Sequence, residues 1–397
     1  MDDTARYLEL LQAEAEGDAD PTPPPPVKIK PRSSENLKPD LALFDVMPAA
    51  QPGCPLLTRL PAEVRQLVWE FTLSDFSDPS PESKYSLMTY YTRPTYEAPR
   101  KSDARLLRTC RAIYFETWTL PFLLREHTWW LTSPDRHPGE FRYSKAFKQM
   151  EASLEHAASA TEQIQVRTQD VVATEEGEDM SMTDAYSAPA NSQVVDMSSL
   201  KVFAQMYSVE DGDLHRLLRM RRLNPRRVTL TIRHADWWYW EDDRPLRFEA
   251  KWLEPVALSL SPSTNEFVFE LETLERKKDQ LDYIVSHICR KWFFKRRDGV
   301  VLYGDTTGKS NHVSRWQGCS IWDGQRWTRD ESSPGKIDYY VVTVPFRPLS
   351  AVERRGGKIS DELGRLEYKA RRMRVSAPGT PLVEFGRVPH EPDDTIE

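Results

Sequence analysis

The segment from Lys277 to Trp292 constrains the fold more than any other. Leu281, Ile284, Val285, Ile288, Cys289 and Trp292 recur with the period of a helix, while KKDQ before them and KRR after them keep the flanks polar. A helix with one apolar stripe has to lie on an apolar surface. The neighbouring segments supply it, because RRVTLTIRH alternates through Val228, Leu230 and Ile232, and NEFVFELE alternates through Phe267, Phe269 and Leu271. With a short helix expected around 247–258, the order strand, helix, strand, helix from 226 to 294 predicts a mixed sheet with helices on at least one face. GVVLYG, the segment from Trp316 to Trp322, a turn at Asp323-Gly324, RWTRDE and IDYYVVTVPF then predict an antiparallel meander. The expected fold class is α+β.

Around that body the chain divides by composition. Prolines crowd residues 21–39, so 1–55 reads as a disordered Pro-rich tail with one short helical pattern at 3–16. LPAEVRQLVWEFTL predicts a helix with Pro61 in its first turn and Val64, Leu67, Val68 and Phe71 on a buried face. Residues 74–102 have neither period and read as a long loop or weak hairpin. Asp103 can cap a second helix carrying Leu106, Leu107, Cys110, Ile113, Tyr114 and Thr117, so 56–131 reads as a helical module ending in a strand near Leu131. Residues 132–195 are expected to be mostly a low-complexity, acidic insertion, with a polar helix at 143–165 and six acids and no base between 170 and 184. The α/β body occupies 196–350. In 351–397, Ser360, Asp361 and Glu362 against Arg371, Arg372 and Arg374 suit the two ends of one helix, followed by a loose tail beyond Ala377.

Catalytic chemistry finds little support. YGDTTGKS follows a strand as a phosphate-binding loop would, yet Gly304 and Gly308 are separated by three residues rather than four, and the next residues lack a helical period, so a hairpin turn is expected. The eight histidines form no HxH or HExxH pattern, and Cys54, Cys110, Cys289 and Cys319 form no CxxC pair, so neither metal nor cofactor is implied. No apolar run reaches the length of a membrane span, and reduced thiols fit a cytoplasmic or nuclear protein. Arginines are dense from 216 to 233, and Arg221, Arg222, Arg226 and Arg227 are a candidate phosphate-contact patch. A net charge of -7 makes nucleic acid an unlikely partner. WWYW at 237–240 places large rings on more than one side of the backbone, so at least one is expected near the surface.

TRLPAEVRQLVWEFTL followed by ARLLRTCRAIYFETWTLPFLLREHTWWL resembles the N-terminal signature of fungal F-box-like proteins, with Glu63-Val64-Arg65 fitting their EXR motif. The resemblance extends with gaps over roughly 60 to 350, where RRVTLTIRHADWWYWEDD looks like the body of uncharacterised members. It implies a helical module that docks on a Skp-type adaptor of a cullin ubiquitin ligase, and a C-terminal body that recruits an unknown target protein. Partner contact would fall to Leu60, Pro61, Val64, Leu67, Val68 and Trp69, supported by Leu107, Ile113 and Tyr114. A non-enzymatic interaction protein is the favoured reading. A structural interaction protein without a ligase role, in which both apolar helical faces pack on the protein's own sheet, and a nucleic-acid binder using the arginine patch are the alternatives.

Overall fold

The computed structural model describes residues 48–49, 51–139, 141–174 and 196–378. Residues 1–47 of the Pro-rich tail, with the helical pattern expected at 3–16, residues 175–195, with most of the acidic run of 170–184, and the chain beyond 378 lie outside the described residues.

An eight-stranded mixed sheet organises the α+β fold. Its strands are β1 (Glu126–Leu131), β2 (Asp196–Ala204), β3 (Asn224–Ile232), β4 (Glu266–Leu274), β5 (Phe293–Lys295), β6 (Val301–Gly304), β7 (His312–Cys319) and β8 (Lys336–Pro348). They lie in the order β1-β2-β3-β4-β8-β6-β5, with β7 also on β8. The first four are parallel, and β8 is antiparallel to β4, β6 and β7. The expected meander is thus a fan. One edge of β8 pairs with β4, and the other is divided between β7 at Lys336–Thr343 and β6 at Phe346–Pro348.

The longer helices are α1 (Ala62–Leu73), α2 (Arg111–Thr117), α3 (Tyr143–Thr174) and α4 (Lys278–Lys291), and the single-turn-and-a-half α5 (Leu349–Arg354) follows β8. Alternation sends Val228, Leu230, Ile232, Phe267, Phe269 and Leu271 to one face, where they meet Leu281, Ile284 and Ile288 of α4 in one core. Each such side chain, fully buried, contributes about 2 kcal/mol. Leu154, Ala157 and Ala158 of α3 join that core, so the N-terminal half of α3 is a packed crossover between the parallel strands β1 and β2. The helix expected at 143–165 is present, and its packing corrects the expectation of an insertion for that part of 132–195. The Ala-rich composition that looked solvated is what allows close packing.

The opposite face of the parallel strands carries Lys201, Thr229, Thr231, Glu270 and Glu272, a set that alternation alone would leave to water. Thr231 and Glu272 are nevertheless buried. Their cover is 74–102, which the sequence presents as an unpatterned loop. Its ends close through a two-residue ladder between Phe76–Ser77 and Arg100–Lys101. Tyr91 and Tyr96 pack edge-on against Trp130 of β1, and Tyr96 also meets Phe203 of β2. From the same loop Arg93 reaches Glu270 at 2.9 Å and Glu272 at 3.3 Å.

Three helical expectations change. The helix expected to begin at Asp103 is two pieces, a 3-10 turn Ala104–Arg108 capped by Asp103 and then α2, with half-buried Cys110 as the N-cap of α2. The helix expected around 247–258 is only Leu253–Ala257, preceded by a two-residue strand at Arg247–Phe248. No single helix spans 360–374. Ser360 caps a 3-10 turn at Asp361–Leu363, Ala370–Met373 forms one turn, and Val375–Ser376 pairs with Arg247–Phe248. Met373, Val375 and Ala377 are buried in the central core, and the Trp292 Nε1 donates to the Met373 carbonyl at 2.6 Å. The tail is ordered as far as 377 because its apolar residues dock one by one rather than along a helical stripe.

Candidate functional site

On α1, the apolar side chains and the buried side chains are not the same set. Arg65, Trp69 and Leu73 are the buried positions, four residues apart on one face. Leu73, Trp69, Ile113 and Leu120 form a small separate core, against which Leu56, Leu57, Val68, Leu106, Leu107 and Cys110 pack. At its polar end Glu116 of α2 binds both long side chains of α1. Arg65 donates to it from Nε at 3.2 Å and from a terminal guanidinium nitrogen at 2.8 Å, and the Trp69 Nε1 donates at 2.7 Å. Arg65 also donates to the Leu60 carbonyl at 2.9 Å, holding the chain that enters α1. The arginine of the EXR segment is therefore an internal clamp, forked onto a carboxylate.

That clamp turns the other apolar stripe outward. Val64, Leu67 and Phe71, spaced i, i+3, i+7, are 42%, 65% and 86% exposed, and Phe76 just beyond the helix is 39% exposed. Isolated exposed apolar residues are ordinary, but three along one helical line form a ridge. The face that the period predicts to be buried, Val64, Leu67, Val68 and Phe71, is thus exposed at three of its four positions, with only Val68 packing inward, because Arg65, Trp69 and Leu73 take the inner side instead.

The expected partner-binding residues divide accordingly. Val64 and Leu67 stand on the outward ridge, and Pro61, exposed, is the N-cap of α1. Leu60 and Tyr114 are half-buried. Val68 and Leu107 pack against the local core, and Trp69 at 1% and Ile113 at 6% exposure lie within it. Trp69 and Ile113 are corrected from contact residues to core residues, because the indole nitrogen is engaged by Glu116 and both side chains are covered by this chain.

The arginine patch is not one surface. Arg222 donates to Glu155 of α3 at 2.9 Å, with Arg221 at 4.0 Å from the same carboxylate. Arg226 lies 3.9 Å from Asp196, and Arg227 pairs with Glu266 on β4. All four have a carboxylate neighbour.

The segment that resembles a phosphate loop is a turn filled by its own carboxylate. Asp305 accepts from the backbone amides of Thr307 at 2.9 Å, Ser310 at 3.0 Å and Lys358 at 3.0 Å, which hold it below the usual carboxylate range although burial opposes this. A Cβ on Gly357 would stand 2.7 Å from the Asp305 carboxyl carbon, so only glycine fits there. Burial pushes the Cys289 thiol up to about 12, the opposite of an activated nucleophile. Among the described residues no group of three His, Cys, Asp or Glu side chains is placed to hold a metal ion, and no helix is long and apolar enough to cross a membrane.

In WWYW, Trp237 and Trp240 are buried, Trp238 is half-buried and donates to Glu210 at 2.7 Å, and Tyr239 is 44% exposed. Trp316 stacks on its cross-strand partner Tyr339 with centroids 4.2 Å apart.

Compared with protein-family models, with curated proteins and with solved structures, the chain matches none.

Proposed function

We propose that this protein is a non-enzymatic recognition protein in which the outward ridge of α1 docks on a Skp-type adaptor of a cullin ubiquitin ligase while the sheet body recruits a target protein. The observation that carries the reading is the ridge itself: Val64, Leu67 and Phe71 in one helical line, left uncovered by a clamp that buries Arg65 and Trp69 instead. An amphipathic helix offering i, i+3, i+7 anchors is a common way for one protein to enter a groove on another. The likeness of this segment to the F-box signature names the groove.

The test is capture of a Skp-type adaptor and a cullin by the full chain and by Leu67→Asp and Phe71→Asp variants. These positions are exposed, so a new charge leaves the fold intact, whereas Val68 packs inward and a charge there would disturb α1. Capture by the natural chain and its loss in both variants, with unchanged circular dichroism, supports the proposal. Failure of the natural chain to capture the adaptor, or capture that survives both substitutions, overturns it.

A further inference from the structure

One end of the sheet gathers positive charge in a way the arginine density of 216–233 did not foretell. Because β8 runs antiparallel to β4, its C-terminal end lies beside the N-terminal ends of β3 and β4. Arg227 of β3 and Glu266 of β4 are register partners there, and Arg347 of β8 comes within 2.5 Å of the second oxygen of the same Glu266 carboxylate. The chain then turns through Pro348 into α5, whose end brings Arg354 and Arg355 to the same place. These four guanidinium groups line a cleft of about 620 Å³.

The charge in this cleft is not balanced from within. Glu266 is the carboxylate on its wall, shared between Arg227 and Arg347, so four positive groups face one negative. Among the described residues neither Arg354 nor Arg355 has an ion-pair partner. Arg354 is oriented by donating to the Ser350 carbonyl at 3.2 Å. Holding like charges together costs free energy that a bound anion removes. Burial lowers the pKa of Arg347, Glu266 opposes the shift, and the neighbouring Arg355 and Arg227 add to the lowering.

We propose that the cleft binds a compact phosphorylated small molecule bearing two or more phosphoryl groups. Guanidinium forks match phosphate oxygens in pairs, and their charge is not lost at any working pH, so four of them with a net excess of three suit a diphosphate or triphosphate moiety. The volume is that of a small-molecule pocket. A long nucleic acid is disfavoured because the remaining arginines do not continue the track: Arg222 is held by Glu155, and Arg226 lies beside Asp196. The site shares no residue with the α1 ridge.

Titration calorimetry of the full chain at low salt tests this with phosphate, pyrophosphate, tripolyphosphate, citrate and a single-stranded RNA. Affinity is expected to rise from phosphate to tripolyphosphate and to weaken with added salt. In an Arg354→Gln, Arg355→Gln variant, both positions being exposed, tripolyphosphate affinity is expected to fall about tenfold or more, with the thermal midpoint unchanged. An Arg221→Gln, Arg226→Gln variant should bind as the natural chain does. The proposal is overturned by absent tripolyphosphate binding at millimolar concentration, or by equal affinity in the Arg354, Arg355 variant. Citrate binding as tight as pyrophosphate, or RNA binding that is tighter and depends on Arg221 and Arg226, overturns it equally.

Discussion

The sheet body and the α1–α2 layer solve burial in opposite senses. In the body, the apolar stripe of α4 and the apolar face of the strands meet each other, and the polar face of the parallel strands is covered by a loop bringing its own counter-charge, Arg93, to Glu270 and Glu272. In the α1–α2 layer a charged side chain faces inward and an apolar line faces out. Charge burial in the body completes the cover of a polar strand face. In the layer it selects which of two competing faces of one helix is hidden, and so leaves the other exposed.

Phe269→Ala should produce the largest effect, because its ring meets Trp292 at 5.6 Å and Phe346 at 5.5 Å in the fully buried core. A loss of about 3–5 kcal/mol in denaturant unfolding is expected, and a loss below 1 would show that the body is less tightly packed than its rings indicate. Arg93→Met comes next. It leaves Glu270 and Glu272 without their guanidinium, and about 3 kcal/mol should be lost in the same measurement. If the variant is as stable as the natural chain, the loop is an ornament rather than a cover. Glu116→Gln should cost about 1–3 kcal/mol by weakening the acceptor shared by Arg65 and Trp69, and proteolysis should then cut α1 before the sheet.

Acid should distinguish the two regions as well. Burial lowers the pKa of His127 on β1 from the ordinary 6.5 to about 4, its Nε2 lying 2.8 Å from the Phe122 carbonyl. The folded state therefore resists the proton that the unfolded chain accepts. Stability is full above pH 6.5 and falls as pH drops from there toward 4, by roughly 1 kcal/mol per pH unit from this group. His127→Gln should flatten that limb of the stability profile, and an unchanged limb would assign it to other groups. Phe71→Asp should be the mildest, within about 0.5 kcal/mol of the natural chain while adaptor capture is lost.

Much of the body is legible from residue spacing. The stripe of α4, the alternation of β3 and β4 and the mixed sheet follow from period alone, since each element has one apolar set and one place to put it. Period fails at α1, where Val64, Leu67 and Phe71 form one helical line and Trp69 and Leu73 another. Both satisfy the geometry of a buried face. The deciding partner, Glu116, lies on a different helix, and a buried Arg65 is not something that hydrophobic patterning can register. Residues 74–102 are opaque for a related reason: Tyr91 and Tyr96 dock on Trp130 of β1, Tyr96 also on Phe203 of β2, and Arg93 on the carboxylates of β4, so their contacts follow no repeat. The four arginines of the cleft come from β3, β8 and the end of α5, and only the antiparallel run of β8 brings them together.

The two-residue pairing of Val375–Ser376 with Arg247–Phe248 has a bearing on biosynthesis. Phe248 and Trp292 sit at the centre of the aromatic cluster, and Met373 and Val375 close over it. A nascent polypeptide cannot seal that cluster until Met373 and Val375 have left the ribosome, so a premature stop codon between Trp292 and Met373 would release a chain with those rings still wet, a ready substrate for chaperones.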